Sequence, residues 1–172
     1  MSPTLELRSR LVAIAGREVG VREDPKDSNT GPRIREYQRA TDLDGTGWAW
    51  CAAFQCWCIR EWLKDCDVLD AFKFTKEQAE AWRPKTAAAY GFHKWAFDRG
   101  LLQLDDSPEH VLHTADLVTY DISHIGIVVT DKDRFVFTVE GNTDPTGGRE
   151  GGGVYELTRR RSFARRFIRL LA

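Results

Sequence analysis

The sequence predicts an α+β domain in which helices come first and an antiparallel β-sheet of about five to six strands follows. Three observations carry this. The 172 residues fit one domain, 1–172, with a single sizeable core, because a chain near 150 residues hides roughly two thirds of the surface its unfolded form exposes. In the first half, apolar residues recur three and four apart, the spacing of a helix face; from Asp116 onward they fall in short β-branched and aromatic runs separated by turn residues. The connections between those runs are short, which favours antiparallel pairing.

Taken in order, Ser2 caps a first helix with Pro3 at its first position, and Leu7, Leu11, Ile14, Ala15 and Val19 mark its buried face before Gly20 ends it. EDPKDSNTGP (23–32) is a loop by composition, and Ile34 with Tyr37 marks a short helix after it. TDLDGTG (41–47) is a second loop. No Gly or Pro interrupts Trp50 to Lys64, so a helix is expected to begin at or just before Cys51. The stretch 66–86 reads as loops that bear specificity, and TAAAYGFHKWAFDRG (86–100) as a further helix closed by Gly100. DLVTY (116–120), HIGIVVT (124–130), RFVFTVE (134–140), GVYELT (153–158) and RRFIRLL (165–171) read as strands.

Composition excludes several classes. With 25 basic against 26 acidic residues the net charge offers no reason to expect a nucleic-acid partner. MSPTLELRSRLVAIAG has no basic region followed by a long apolar run and cleavage site, so no signal peptide is expected; no segment approaches the roughly 18 apolar residues of a membrane span, so no stable membrane insertion is expected either. The arginines near the end, Arg159, Arg160, Arg161, Arg165, Arg166 and Arg169, read as a turn and final strand with a solvated basic face; the sharper alternative is weak binding to anionic surfaces.

GTGWAWCAAFQCWCIREW (45–62) holds three of the four cysteines, Cys51, Cys56 and Cys58, and Cys66 follows. Gaps of four, one and seven residues contain no paired C-x2-C, which argues against structural zinc, and a chain of this length with 42% hydrophobic residues needs no disulfide staples. A reactive cysteine needs a stabilised thiolate, a base, and a group to orient the base. Cys51 alone opens the helix, where unpaired N–H groups and the dipole favour an anion. Cys56 and Cys58 lie one and two turns further in and read as small core hydrophobes.

Of the histidines at 93, 110, 113 and 124, the sheet gives His124 a partner. If Ile125, Ile127 and Val129 share a core face with Val139, Phe137 and Phe135, the strands pair in that register around a three-residue loop, Asp131 to Asp133, and His124 falls opposite Glu140. Asn142 follows on the same face within diagonal reach of the ring. The set Cys51, His124 and Glu140 or Asn142 makes nucleophile, base and orienter in chain order.

The motifs also match a known group. IAGREVGVRE, IREYQRATDLDGTGWAWCAAF, ADLVTYDISHIGIVV, VEGNT and GGGV, running from Ile14 to Val154, resemble the CHAP (cysteine, histidine-dependent amidohydrolase/peptidase) domains within the papain-like, NlpC/P60-related peptidoglycan hydrolases. The resemblance implies a papain-like fold with the nucleophile at a helix N-terminus packed on the sheet, Cys51 as nucleophile, His124 as base, and Glu140 and Asn142 as orienting residues. Where members often carry Gly-Asp before the histidine strand, this chain has Ala115-Asp116. Some members bind calcium before the cysteine. Asp42 and Asp44 are similar to the first two ligands of such sites, but Ala53 stands where a further carboxylate is expected, so no cofactor is required and a solvated turn is the preferred reading of DLDG.

The implied activity is hydrolysis of an amide bond in the peptide part of peptidoglycan, by an endopeptidase or an N-acetylmuramoyl-L-alanine amidase acting as a monomer. Trp48 and Trp50, beside the nucleophile, are candidates for substrate contact. Without a signal peptide such an enzyme would reach the wall as a phage lysin, after holin-type release, or as an injected interbacterial effector. The alternatives are a papain-like protease or acyltransferase acting on protein, a structural zinc protein, and a non-catalytic cell-wall binding module in which Trp48, Trp50, Trp57 and Trp62 stack on glycan.

Overall fold

The computed structural model describes residues 2–171 and has the α+β architecture expected. Six helices come first, α1 Pro3–Gly16, α2 Pro32–Gln38, α3 Cys51–Trp62, α4 Cys66–Phe72, α5 Lys76–Trp82 and α6 Gly91–Asp98. Six strands follow, β1 Gln103–Leu104, β2 Leu117–Tyr120, β3 His124–Lys132, β4 Phe135–Thr143, β5 Gly153–Arg160 and β6 Ala164–Ile168. They form one antiparallel sheet in the order β1-β6-β2-β3-β4-β5.

The Ser2 hydroxyl accepts the Leu5 N–H and Pro3 takes the first helical position, as the sequence indicates. The helix stops at Gly16, short of Val19. Glu18 is drawn away to accept both Arg33 at 2.7 Å and the Tyr37 hydroxyl at 2.5 Å, which ties α1 to α2 and leaves Val19 exposed. The stretch expected as loops contains two helices. Asp65 caps α4 through the Asp67 N–H, and Thr75 with Gln78 forms a capping box for α5. Helix α6 is shorter than expected because 86–90 is a turn, in which Thr86 packs where a side chain on Gly91 would stand.

One face of the sheet receives α1 and α3, with α2 packed on α3 and α6 set against β1 and β6. Leu117, Ile125, Ile127, Val139, Val154 and Ile168 meet Leu11, Ile34, Phe54, Ile59 and Phe92 in a continuous core. The other face is also covered: Val118, Tyr120, Val128, Val136 and Phe167 pack with Leu112, and Arg161 holds the 106–110 segment over them through the carbonyls of Ser107 and His110. Burial on both faces explains why LVTY and HIGIVV carry no alternation.

The β3–β4 register differs from the one the core pattern suggests. The hairpin turns on two residues, Asp133 and Arg134, with Asp133 at φ 56, and Lys132 pairs with Phe135. A bulge between Val128 and Thr130 then shifts the pairing, so that Ile127 faces Val139 and Gly126 faces Glu140. At the hairpin end Phe135 is left 37% exposed, while Val136, on the opposite side of β4, is buried on the second face.

Candidate active site

Cys51 is the first residue of α3, with Trp50 as its N-cap. The N–H groups of a first turn have no carbonyl within their helix, and Trp50 makes no capping bond with its side chain among the described residues. Trp50 is instead an anchor. Its indole N–H donates to Glu23 at 2.7 Å, its ring stacks on Tyr37 at 5.5 Å, and Gly141 of β4 lies so close that a Cβ there would stand 2.8 Å from the indole and from Phe54. These contacts press the start of α3 onto the end of β4. Cys51 is 5% exposed at that junction.

His124 opens β3 and is fully buried. Its Nε2 meets the Glu140 carboxylate at 2.9 Å. Glu140 reaches the ring diagonally across the two strands, because the residue directly opposite it is Gly126; a Cβ on Gly126 would stand 2.6 Å from Glu140 Cγ. The glycine of HIGIVV therefore makes the room in which the carboxylate lies. Burial lowers the imidazole's pKa, but hydrogen bonding and charge from Cys51 and Glu140 outweigh it and raise the pKa to about 9. Since Glu140 occupies Nε2, Nδ1 is the nitrogen left to the thiol. Nδ1 has no other partner of full hydrogen-bond geometry among the described residues, and Cys51 lies close enough to act on the ring.

Glu140 is likewise fully buried. Burial would raise its pKa, but Arg159 and His124 hold it down at about 2. One oxygen accepts the Thr138 hydroxyl at 2.6 Å and Arg159 Nε at 2.7 Å; the other accepts Arg159 Nη2 at 2.5 Å besides the imidazole. Both Arg159 and Thr138 escape sequence reasoning, Arg159 because TRRR looks like a solvated basic run. Alternation along GVYELTRR was the available signal, since it sends Arg159 to the same face as Val136.

Asn142 makes no hydrogen bond to the imidazole. It sits at φ 56, just past Glu140 where the β4–β5 register shifts, and both atoms of its buried carboxamide lack a partner among the described residues. Of the two residues expected to orient the ring, Glu140 is the one hydrogen-bonded to it. Trp50 has no exposed face on which a substrate could stack, and Trp57 and Trp62 are also buried. Trp48 is half-buried, with its carbonyl accepting from Gln38 at 3.1 Å.

All four cysteines are free thiols. Cys56 and Cys58 are completely enclosed in the core, where burial pushes both thiols well up. Asp42 and Asp44 stand exposed in their loop, and Ala53 is buried inside α3, out of reach as a position for a further ligand. Among the described residues, the group of three acidic, cysteine or histidine side chains close enough to share an ion is Asp65, Cys66 and Asp67, whose two carboxylates both bind Arg10 at 2.8 Å. Of the C-terminal arginines, Arg159, Arg161 and Arg169 point into the fold, while Arg160, Arg165 and Arg166 remain for a basic surface. No described helix is long and apolar enough to cross a membrane.

Compared with protein-family models, curated proteins and solved structures, the chain matches none.

Proposed function

We propose that the protein is a cysteine amidohydrolase that cleaves an amide bond in the peptide part of peptidoglycan. The observation that carries this reading is a cysteine at the first position of a buried helix beside an imidazole that a buried carboxylate grips from the other side. His124 takes the thiol proton as its general base, which makes Cys51 the nucleophile. The thiolate attacks the amide carbonyl, and the free N–H groups at the start of α3 receive the oxyanion. His124 passes its proton to the leaving amine as the C–N bond breaks. It then takes a proton from the water that releases the acyl group, restoring the thiolate.

The motif resemblance to CHAP domains directs the substrate choice to the bacterial wall, whether as a stem-peptide endopeptidase or an amidase. Delivery as a phage-type lysin is the reading we favour over an injected effector. A glycan-stacking module is the weaker reading, because Trp50, Trp57 and Trp62 have no surface to offer. A test incubates the protein and Cys51→Ala with sacculi from several bacteria under reducing conditions and identifies released fragments by mass spectrometry. Cysteine-dependent fragments are expected, and their new termini name the bond. No fragments from any wall type, with cleavage of protein substrates instead, would replace this reading with a papain-like protease.

A further inference from the structure

We propose that Arg159 is a positioning residue of this array, holding the Glu140 carboxylate in the one orientation that lets it grip the His124 ring. The inference rests on the reading of Cys51 as nucleophile and His124 as its base.

Glu140 has three rotatable bonds and no backbone donor on its carboxylate among the described residues. Its fixed pose comes from side chains, and Arg159 supplies two of the four contacts, Nε to one oxygen and Nη2 to the other. A two-toothed grip sets the plane of the carboxylate as well as its place. The guanidinium is itself held on three sides. Its face lies 4.7 Å from the centre of the Tyr120 ring, and Nη1 donates to the Gly147 carbonyl at 3.1 Å. Gly147 sits at φ 85, and a Cβ there would stand 2.9 Å from Nη1, so that position needs a glycine both for its backbone and for its lack of a side chain. Tyr120 in turn lies parallel to the His124 ring at 6.3 Å. Four neighbouring strands, β2 to β5, thus contribute Tyr120, His124, Glu140 and Arg159 to a single buried array.

The array also has an electrostatic logic. A buried carboxylate facing only a hydroxyl and an imidazole would tend to take up a proton, and a neutral carboxyl stabilises an imidazolium far less. The charged and titratable groups that face Glu140 and Arg159 are His124 from β3, Tyr120 from β2 and Asp144 from the loop after β4, with Cys51 of α3 beyond His124. Arg159 is the one permanent cation among them. Its charge keeps Glu140 ionised, and the ionised Glu140 favours the protonated form of His124 beside Cys51.

The test needs no peptidoglycan. His124 is titrated by NMR of its ring, and the pH profile of Cys51 alkylation by iodoacetamide is read by peptide mass spectrometry, which separates it from the exposed Cys66. In the wild type the His124 midpoint is expected near 9. In Arg159→Gln it should fall by at least about one pH unit, with Cys51 alkylation at mildly acidic pH slowed about tenfold. Arg159→Lys, which keeps the charge and loses the grip, should fall between the two. Where a wall substrate is cut, kcat should drop with KM unchanged. A natively folded Arg159→Gln with an unmoved midpoint and alkylation profile would overturn the proposal. Should Arg159→Gln fail to fold, an unmoved midpoint in Arg159→Lys would do the same. Shifted profiles without wall cleavage would sink the peptidoglycan reading and leave this one standing.

Discussion

Two buried carboxylates, one in β4 and one just before β2, hold an arginine in the same way and face different neighbours. Glu140 grips Arg159 and Asp116 grips Arg169, each through Nε and Nη2, and both acids are buried. The remaining capacity of Asp116 goes to the His113 backbone N–H at 2.8 Å, while Arg169 also reaches the Val111 carbonyl. That pair staples the approach to β2 onto the end of β6 and is complete within the fold. The remaining capacity of Glu140 goes to the Thr138 hydroxyl and to an imidazole that lies beside Cys51. An ion pair of this kind is structural by default; under the proposed function, the titratable base on Glu140 makes this one part of the catalytic array.

The sharpest way to break the array is Cys51→Ala, which should lower amide hydrolysis by at least about 10³-fold while thermal unfolding stays near wild type. Next comes the matched pair of variants. Glu140→Gln should cost about 10²–10⁴-fold in kcat and move the His124 midpoint down. Asp116→Asn should leave that midpoint in place and lower Tm by roughly 6–20 °C, since breaking a buried pair costs about 3–5 kcal/mol. Equal loss of activity and an equal midpoint shift in both would erase the distinction.

The third expectation concerns pH. Activity should fall as pH rises through about 9, where His124 loses the proton destined for the leaving amine. The His124 pKa lies above its ordinary 6.5, so its contribution to stability is whole below 6.5 and is lost as pH climbs through 9. The Glu140 pKa lies below its ordinary 4.5, so its share is whole above 4.5 and is lost only as pH falls towards 2. Thermal melts across pH should therefore show this contribution complete between 4.5 and 6.5. The smallest effect is expected from Asn142→Gly. The left-handed backbone suits glycine and the amide makes no hydrogen bond to the ring, so the His124 midpoint should not move; a shift of a full unit would restore Asn142 as an orienter.

Much of this was legible in the chain. The Ser2-Pro3 start, the uninterrupted run after Trp50 and the change of apolar period at Asp116 are local signals, and local signals survive into the fold. The Thr75-x-x-Gln78 capping box was equally local and marks α5, although the surrounding charges disguise it as loop. The meeting of His124 with Glu140 was expected through a register two residues away from the observed one. Both registers keep the same residues on the same face, because strand side chains alternate with a period of two, so an even error preserves the partners' side while changing who stands directly across. The bulge near Val129 was invisible, since nothing in IVVTDK marks it.

By itself the sequence determined which chemistry was available: a cysteine able to open a helix, a histidine at a strand start, and an acid within reach on the following strand. Periodicity and capping suffice for that, because they act over a few residues. Only the tertiary structure decided that Glu140 and not Asn142 holds the ring, that Gly126 makes the space, that Trp50 is an anchor and that two arginines of TRRR, Arg159 and Arg161, turn inward. Each of these depends on atoms brought together from distant parts of the chain, where packing and the cost of burying an unpaired charge choose among partners that local pattern leaves equivalent.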